Sequence, residues 1–283
     1  MAAVLPVAAA SLGGCTTLAG SMHREALYTL EWSDEFHGRD APDPRIWTYD
    51  TEFNRTGWHN DERQYYARDR RKNARIDKSR LIIEAHREDL APQDYDDWNG
   101  QPYSSARLTT RGRRHFQYGY FEVRAKLPCT VGTWPAIWLL PVEQDKGWPD
   151  DGEIDIAEHV GFDPGRVHHT LHTATMNHLR GTQRSAQSMV PDACRRFRRY
   201  QLLWTPDRIQ MGVDDRITFR LSKSAAREWP FDKPYYLILN LAVGGSWGGR
   251  EGIADVAFPA RMEVDYVRYY RPARTGPAAG TVL

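Results

Sequence analysis

The chain has 283 residues, 41% of them hydrophobic and 27% charged, with a formal net charge of +1. That composition is globular and can fill one large core, and the near-neutral balance implies no polyanion or membrane surface as partner of the molecule as a whole. The basic runs at residues 68–72 (RDRRK) and 195–199 (RRFRR) read as solvated faces, without an organised nucleic-acid motif.

In chain order, residues 1–15 (MAAVLPVAAASLGGC) come first, apolar and rich in small side chains. The ending Leu12-Gly13-Gly14-Cys15 looks like a bacterial lipoprotein signal, in which cleavage precedes a lipidated Cys. No Lys or Arg precedes the apolar run, although secretory signals usually open on positive charge. The run is also too short for a transmembrane helix. The expectation is an exported protein, either a cell-envelope lipoprotein or secreted/periplasmic. Residues 1–24 would be signal and linker, 25–272 one folded domain, and 273–283 a flexible tail. Membrane contact would come only through Cys15. Export would permit Cys129 and Cys194 to pair, and two separate buried thiols is the equal alternative.

Period-2 alternation dominates the rest. Residues 81–85 (LIIEA) are almost wholly apolar, as in a strand buried on both faces. In residues 119–127 (GYFEVRAKL), Phe121, Val123, Ala125 and Leu127 share one face. Residues 153–158 (EIDIAE) form a strand carrying three acids. Residues 209–213 alternate, Asp214-Asp215 reads as a tight turn, and 216–221 (RITFRL) returns. The best short helical candidate is 222–228 (SKSAARE). Residues 235–242 (YYLILNLA) and 262–270 (MEVDYVRYY) complete the strand-rich pattern. Many strands between Gly, Pro and Asp turns predict an all-β sandwich or barrel. Ten Trp and fourteen Tyr exceed what packing needs, and indole faces suit amphipathic ligands such as sugars.

The acidic strand is the informative element. Glu153 and Asp155, two apart, point to one face. Regular alternation would bury Glu158 on the other face, at a high cost for an unpaired carboxylate. A β-bulge near Ile156-Ala157 shifts the phase and returns Glu158 to the face of its partners. Three neighbouring acids cannot all ionise easily, so at least one stays protonated near neutral pH. A nucleophilic carboxylate beside a protonated one is what retaining glycoside hydrolysis requires, with the two carboxyls about 5–5.5 Å apart. A calcium site or a solvated strand is the competing reading, and no EF-hand loop pattern accompanies the acids.

With these residues in view, the sequence resembles glycoside hydrolase family 16 in its laminarinase-like, endo-β-1,3-glucanase branch. The family signature E-x-D-x-x-E stands as Glu153-Ile-Asp155-Ile-Ala-Glu158. Family blocks follow in order: Trp32-Ser-Asp-Glu-Phe36, Asn60-Asp-Glu-Arg-Gln-Tyr-Tyr66, Ser104-Ser-Ala-Arg-Leu-Thr-Thr110, Tyr118-Gly-Tyr-Phe-Glu122 and Gly132-Thr-Trp-Pro-Ala-Ile-Trp138. Trp229-Pro-Phe231, residues 239–245 (LNLAVGG) and Val264-Asp-Tyr-Val-Arg268 extend the likeness over residues 27–271. The shorter E-x-D-x-E of lichenase-like members is absent from this chain.

The resemblance implies a concanavalin A-like jelly-roll β-sandwich of two curved antiparallel sheets with a concave substrate cleft. It assigns Glu153 as nucleophile, Glu158 as general acid/base, and Asp155 as the residue that orients and tunes Glu153. Trp134 and Trp138 are expected as sugar platforms, with Pro135 between them making that geometry irregular. Trp148, His172, Asn60, Arg111 and Trp247 are the further candidates for substrate contact. His168 and His169 carry no assignment, and with His172 they lack a complete metal-ligand set. No organic cofactor is required. A structural Ca²⁺ is implied at Glu35 and Asp265. The expected substrate is β-1,3-glucan, with mixed β-1,3/1,4-glucan alongside it. A galactan hydrolase, a transglycosylase and a non-catalytic sugar-binding protein are the alternatives. A monomer is expected, and residues 88–103 are the loop that would decide endo against exo action.

Overall fold

The computed structural model describes residues 28–91 and 94–273. The signal-like segment with Cys15, and residues 274–283 of the expected tail, lie outside the described residues. Two sheets carry the chain. The first runs in the order β12 (Arg184–Met189), β11 (Arg166–His172), β10 (Glu153–His159), β9 (Thr133–Pro141), β16 (Tyr235–Val243), β7 (Arg107–Thr109) and β2 (Thr48–Tyr49). The second runs β15 (Arg216–Ser222), β14 (Arg208–Val213), β13 (Arg198–Trp204), β8 (Gly119–Lys126), β17 (Ala260–Pro272), β5 (Arg80–Arg87), β6 (Tyr103–Ser105) and β3 (Gln64–Tyr66). On it, β1 (Tyr28–Asp34) pairs with β17, and β4 (Ala74–Asp77) pairs with β5. Pairing is antiparallel except between β3 and β6. This is the jelly-roll sandwich.

Alternation explains the layering. Ile137 and Leu139 of β9, Ile154 and Ile156 of β10, and Phe121 and Val123 of β8 meet in one core between the sheets. β16 is buried along its whole length, as its unbroken apolar run requires. Its outer face is covered by the cleft aromatics and by Asn240, which is only 5% exposed. The tight turn at Asp214-Asp215 is present, both residues having positive φ (49° and 66°), as a two-residue hairpin demands. Over residues 222–228 the expected helix is cut to one 3-10 turn, Lys223–Ala225. The segment only joins β15 to β16 and has no buried residue in that turn to hold a longer helix.

Two further features brace β10 and the strands beside it. Cys129 and Cys194 are joined by a disulfide with Cα atoms 5.7 Å apart, which settles the open choice between pairing and separate thiols. The glycines Gly152 and Gly161 bracket β10. A Cβ on Gly152 would collide with the Tyr235 hydroxyl, and one on Gly161 with the Thr130 carbonyl oxygen. Gly152 also has φ +92°, a conformation that side chains resist.

Candidate active site

β10 bulges where its sequence demands. Against β11 the register runs Asp155 to Thr170 and then Glu158 to His168, so two residues of β10 face one of β11. Against β9 it shifts between Asp155 and Ala157. Ile154, Ile156 and Ala157 are buried, while Glu153 and Glu158 line a cleft of ≈ 460 Å³ on the outer face of the first sheet. The extra residue thus restores the phase of Glu158.

Each glutamate receives an indole N–H. Trp148 Nε1 donates to Glu153 Oε2 at 2.7 Å, and Trp134 Nε1 donates to Glu158 Oε1 at 3.0 Å. Burial and the Asp155 charge push Glu153 up to about 8. Burial, and then Glu153 among the neighbouring carboxylates, push Glu158 up to about 7, against the opposing pull of His172. Burial, then Glu158, hold Asp155 well above the ordinary carboxylate range. Asp155 is 2% exposed and its Oδ2 accepts no hydrogen bond. Glu153 has the Trp148 donor. The proton that this pair must share therefore rests best on Asp155, leaving Glu153 the carboxylate.

His172 stands beside the acids, directly across from Glu153 on β11. Its Nε2 is 3.4 Å from Asp155 Oδ2 and 3.9 Å from Glu153 Oε1, and the residue is 6% exposed. It faces the carboxylates from the neighbouring strand and is not among the residues that line the cleft, where the sequence had suggested a sugar contact. Donor atoms of Glu153, Asp155 and His172 lie within 4.8 Å of one another, a set with the donor types of a metal site. The Trp148 N–H aimed into it favours an anion held by hydrogen bonds instead.

The other expected residues fall around this centre. β9 stays a regular strand through Pro135, which pairs with Leu241, so Trp134 and Trp138 share the cleft face; the expected irregularity is absent. The ring of Trp138 stacks with Arg107 at 4.7 Å, and its N–H goes to Asn240 Oδ1 at 2.7 Å. Asn60 and Arg111 line the cleft, Asn60 two residues before Glu62, and Arg111 at the far rim, paired with Glu52 at 3.1 Å. Trp247 packs on Trp134 (5.2 Å) and His168 (4.8 Å), outside the lining of the cleft. Described residues of the 88–103 loop pack elsewhere: Tyr95 lies against Tyr65, and Asp97 accepts from Asn54 and Tyr65. None of them lines the cleft.

The calcium assignment does not fit. Arg268 grips both oxygens of Glu35 at 2.9 Å, and Arg124 and Arg80 pair with Asp265. Calcium takes six to eight oxygens, and both assigned carboxylates already face guanidinium groups.

Among the cleft residues that the sequence did not single out, three make telling contacts. Arg107 lies between Trp58 (5.1 Å) and Trp138 (4.7 Å), anchored by Asp50 at 2.8 Å. Glu62 accepts from Gln64 at 2.8 Å and is pushed up to about 7 by burial. His178 stacks at 5.1 Å from Trp148, on a loop pinned by Asn177 and Glu228. Arg107 and Glu62 sit inside family blocks, a signal that was available. His178 had none.

Paired acids in an aromatic cleft on a jelly roll suit sugar chemistry, and the comparisons agree. The profile of glycosyl hydrolases family 16 matches residues 58–268. The chain belongs to this family. One of its relatives is the β-glucanase of Rhodothermus marinus, 48% identical, with 91% of each chain covered. The solved laminarinase from Rhodothermus marinus is 49% identical, with TM-score 0.81, covering 88% of this chain and 99% of that one. A solved non-specific endo-β-1,3(4)-glucanase of family 16 is 46% identical with TM-score 0.85, covering 89% and 95%. This family 16 chain is a glycoside hydrolase.

Proposed function

We propose that the chain is a retaining, endo-acting β-1,3-glucanase that also accepts mixed β-1,3/1,4-glucan. The observation that carries the reading is the bulged strand β10, which presents Glu153, Asp155 and Glu158 together in the cleft. Glu153 attacks the anomeric carbon while Glu158 protonates the departing glycosidic oxygen. Water, deprotonated by Glu158, then releases the sugar with retained configuration. Asp155 holds the shared proton and orients Glu153. The cleft crosses β10, β9, β16, β7 and the β2 edge, which at about 4.8 Å per strand gap spans about 19 Å. That length holds several sugar rings and supports internal cleavage. The relatives named above supply the glucan substrate.

We propose in addition that the protein is an exported monomer, either a cell-envelope lipoprotein or secreted/periplasmic. The Cys129–Cys194 bond supports the oxidising compartment.

The test is reducing-end release from laminarin, lichenan, curdlan and agarose, run beside Glu153→Gln. Activity on laminarin and lichenan that the variant loses is expected. Activity on agarose alone would overturn the substrate and keep the mechanism.

A further inference from the structure

Two residues of β10 stand against one of β11 at the bulge, and that one residue is His169. It alternates to the core side, away from His168 and His172, and is fully buried, as is Ile156. Its Nδ1 lies 2.6 Å from the Ile156 carbonyl oxygen and its Nε2 lies 2.8 Å from Ser188 Oγ. A carbonyl only accepts, so Nδ1 carries the hydrogen. Burial pushes the imidazole down to about 4, so Nε2 is bare and accepts the Ser188 hydroxyl. Ser188 Oγ in turn lies 2.8 Å from Thr218 Oγ1, on β15 of the other sheet. The donors run one way: Thr218 to Ser188 to His169 to the bulge carbonyl.

We propose that His169 is a positioning residue whose Nδ1–H holds the Ile156 peptide and thereby aims Glu158, two residues on. The bulge breaks the ladder at Ile156-Ala157, and the side chain of His169 supplies a donor there. Without it that peptide can rotate, and the Glu158 carboxyl moves away from the glycosidic oxygen. The inference rests on Glu158 as acid/base.

An acid/base defect has its own kinetic signature. Dinitrophenolate leaves without a proton, so the first step survives on a dinitrophenyl β-laminaribioside, while water attack on the glycosyl-enzyme slows. Azide needs no base: its nitrogen bonds to the anomeric carbon, the bond to Glu153 breaks, and Glu153 leaves as a carboxylate. Wild type, Glu158→Ala, His169→Ala, His169→Asn and Ser188→Ala are compared on laminarin and on this substrate, with and without sodium azide. For His169→Ala we expect kcat on laminarin to fall about 10- to 100-fold, with KM within about twofold and azide-accelerated turnover of the aryl substrate. Asn places an amide N–H where Nδ1–H stands and restores kcat to within about threefold of wild type. Ser188→Ala shows a smaller, azide-responsive loss. An undiminished His169→Ala, a loss that azide leaves untouched, or an Asn variant as poor as Ala overturns the inference. If His169→Ala does not fold, His169→Asn and Ser188→Ala decide on the same criteria. Azide rescue of Glu158→Ala without rescue of His169→Ala sinks the inference alone. No rescue of Glu158→Ala overturns the role of Glu158, and the inference with it.

Discussion

Trp148 and Trp134 make the same bond to opposite effect. An N–H on a carboxylate favours its charged form. At Glu153 this helps the proposed nucleophile; at Glu158 it works against the proton that the proposed acid must carry, and burial overrides it. Trp148→Phe keeps the ring and removes the donor, and is expected to lower kcat about tenfold while KM stays near wild type. The proposed chemistry needs Glu158 protonated in the first step, so kcat/KM should fall as pH rises through about 7. In a pH–rate profile, Glu158→Ala should lose that alkaline limb. The raised carboxyl of Glu158 also bears on stability. Its folded-state pKa exceeds the unfolded one, so the stability it adds is present below about pH 4.5 and is lost as pH rises through about 7. Glu158→Gln should therefore melt about 3 °C or more above the parent at pH 8, and close to it at pH 4. Equal melting temperatures at pH 8 would contradict the burial of this acid.

At the scale of single elements, β10 was legible because its difficulty was visible: Glu158 fell in the apolar phase, and a bulge was the simplest repair. β7 was not. Arg107–Thr109 is three residues long, too short for alternation to show a face. Asn60 and Asp61 both have positive φ, so the run leading to Glu62 follows no period. His178 stands on a loop whose shape comes from Asn177 and Glu228, the latter 50 residues away in sequence. The Ser222–Glu228 pattern failed for the converse reason, since a helical spacing without a face to bury does not make a helix. Arg107 joins two tryptophans that the sequence separates widely, and this contact shapes the cleft wall. Arg107→Ala is expected to raise KM for laminarin about tenfold with a smaller change in kcat, measured by initial rates. An unchanged KM would place the wall's stability in the indoles alone.

Over the whole molecule, the all-β class followed from alternation and the two-sheet sandwich from the family resemblance, whereas the joins between distant segments followed from neither. The Cys129–Cys194 bond is such a join, tying the turn before β9 to the segment before β13 across 65 residues. Leu127 N–H reinforces it, donating to the Ala193 carbonyl at 3.1 Å. A loop of that length restricts the unfolded chain by about 4 kcal/mol in the chain-entropy view. Dithiothreitol, or Cys129→Ala with Cys194→Ala, should lower the melting temperature by about 8 °C or more while β10 keeps its geometry and kcat below the transition. A scan unmoved by reductant would show that the bond adds little to the fold.

Gly152 and Gly161 give the catalytic strand two fixed posts, one against Tyr235 and one against Thr130. Between fixed posts a strand cannot slide, so any change in residue count has to be taken up inside it. The six-residue signature is therefore not a portable part. Anyone grafting this acid pair onto another sandwich must carry residues 152–161 as one piece, and must build the hydroxyl and the carbonyl against which its ends are seated.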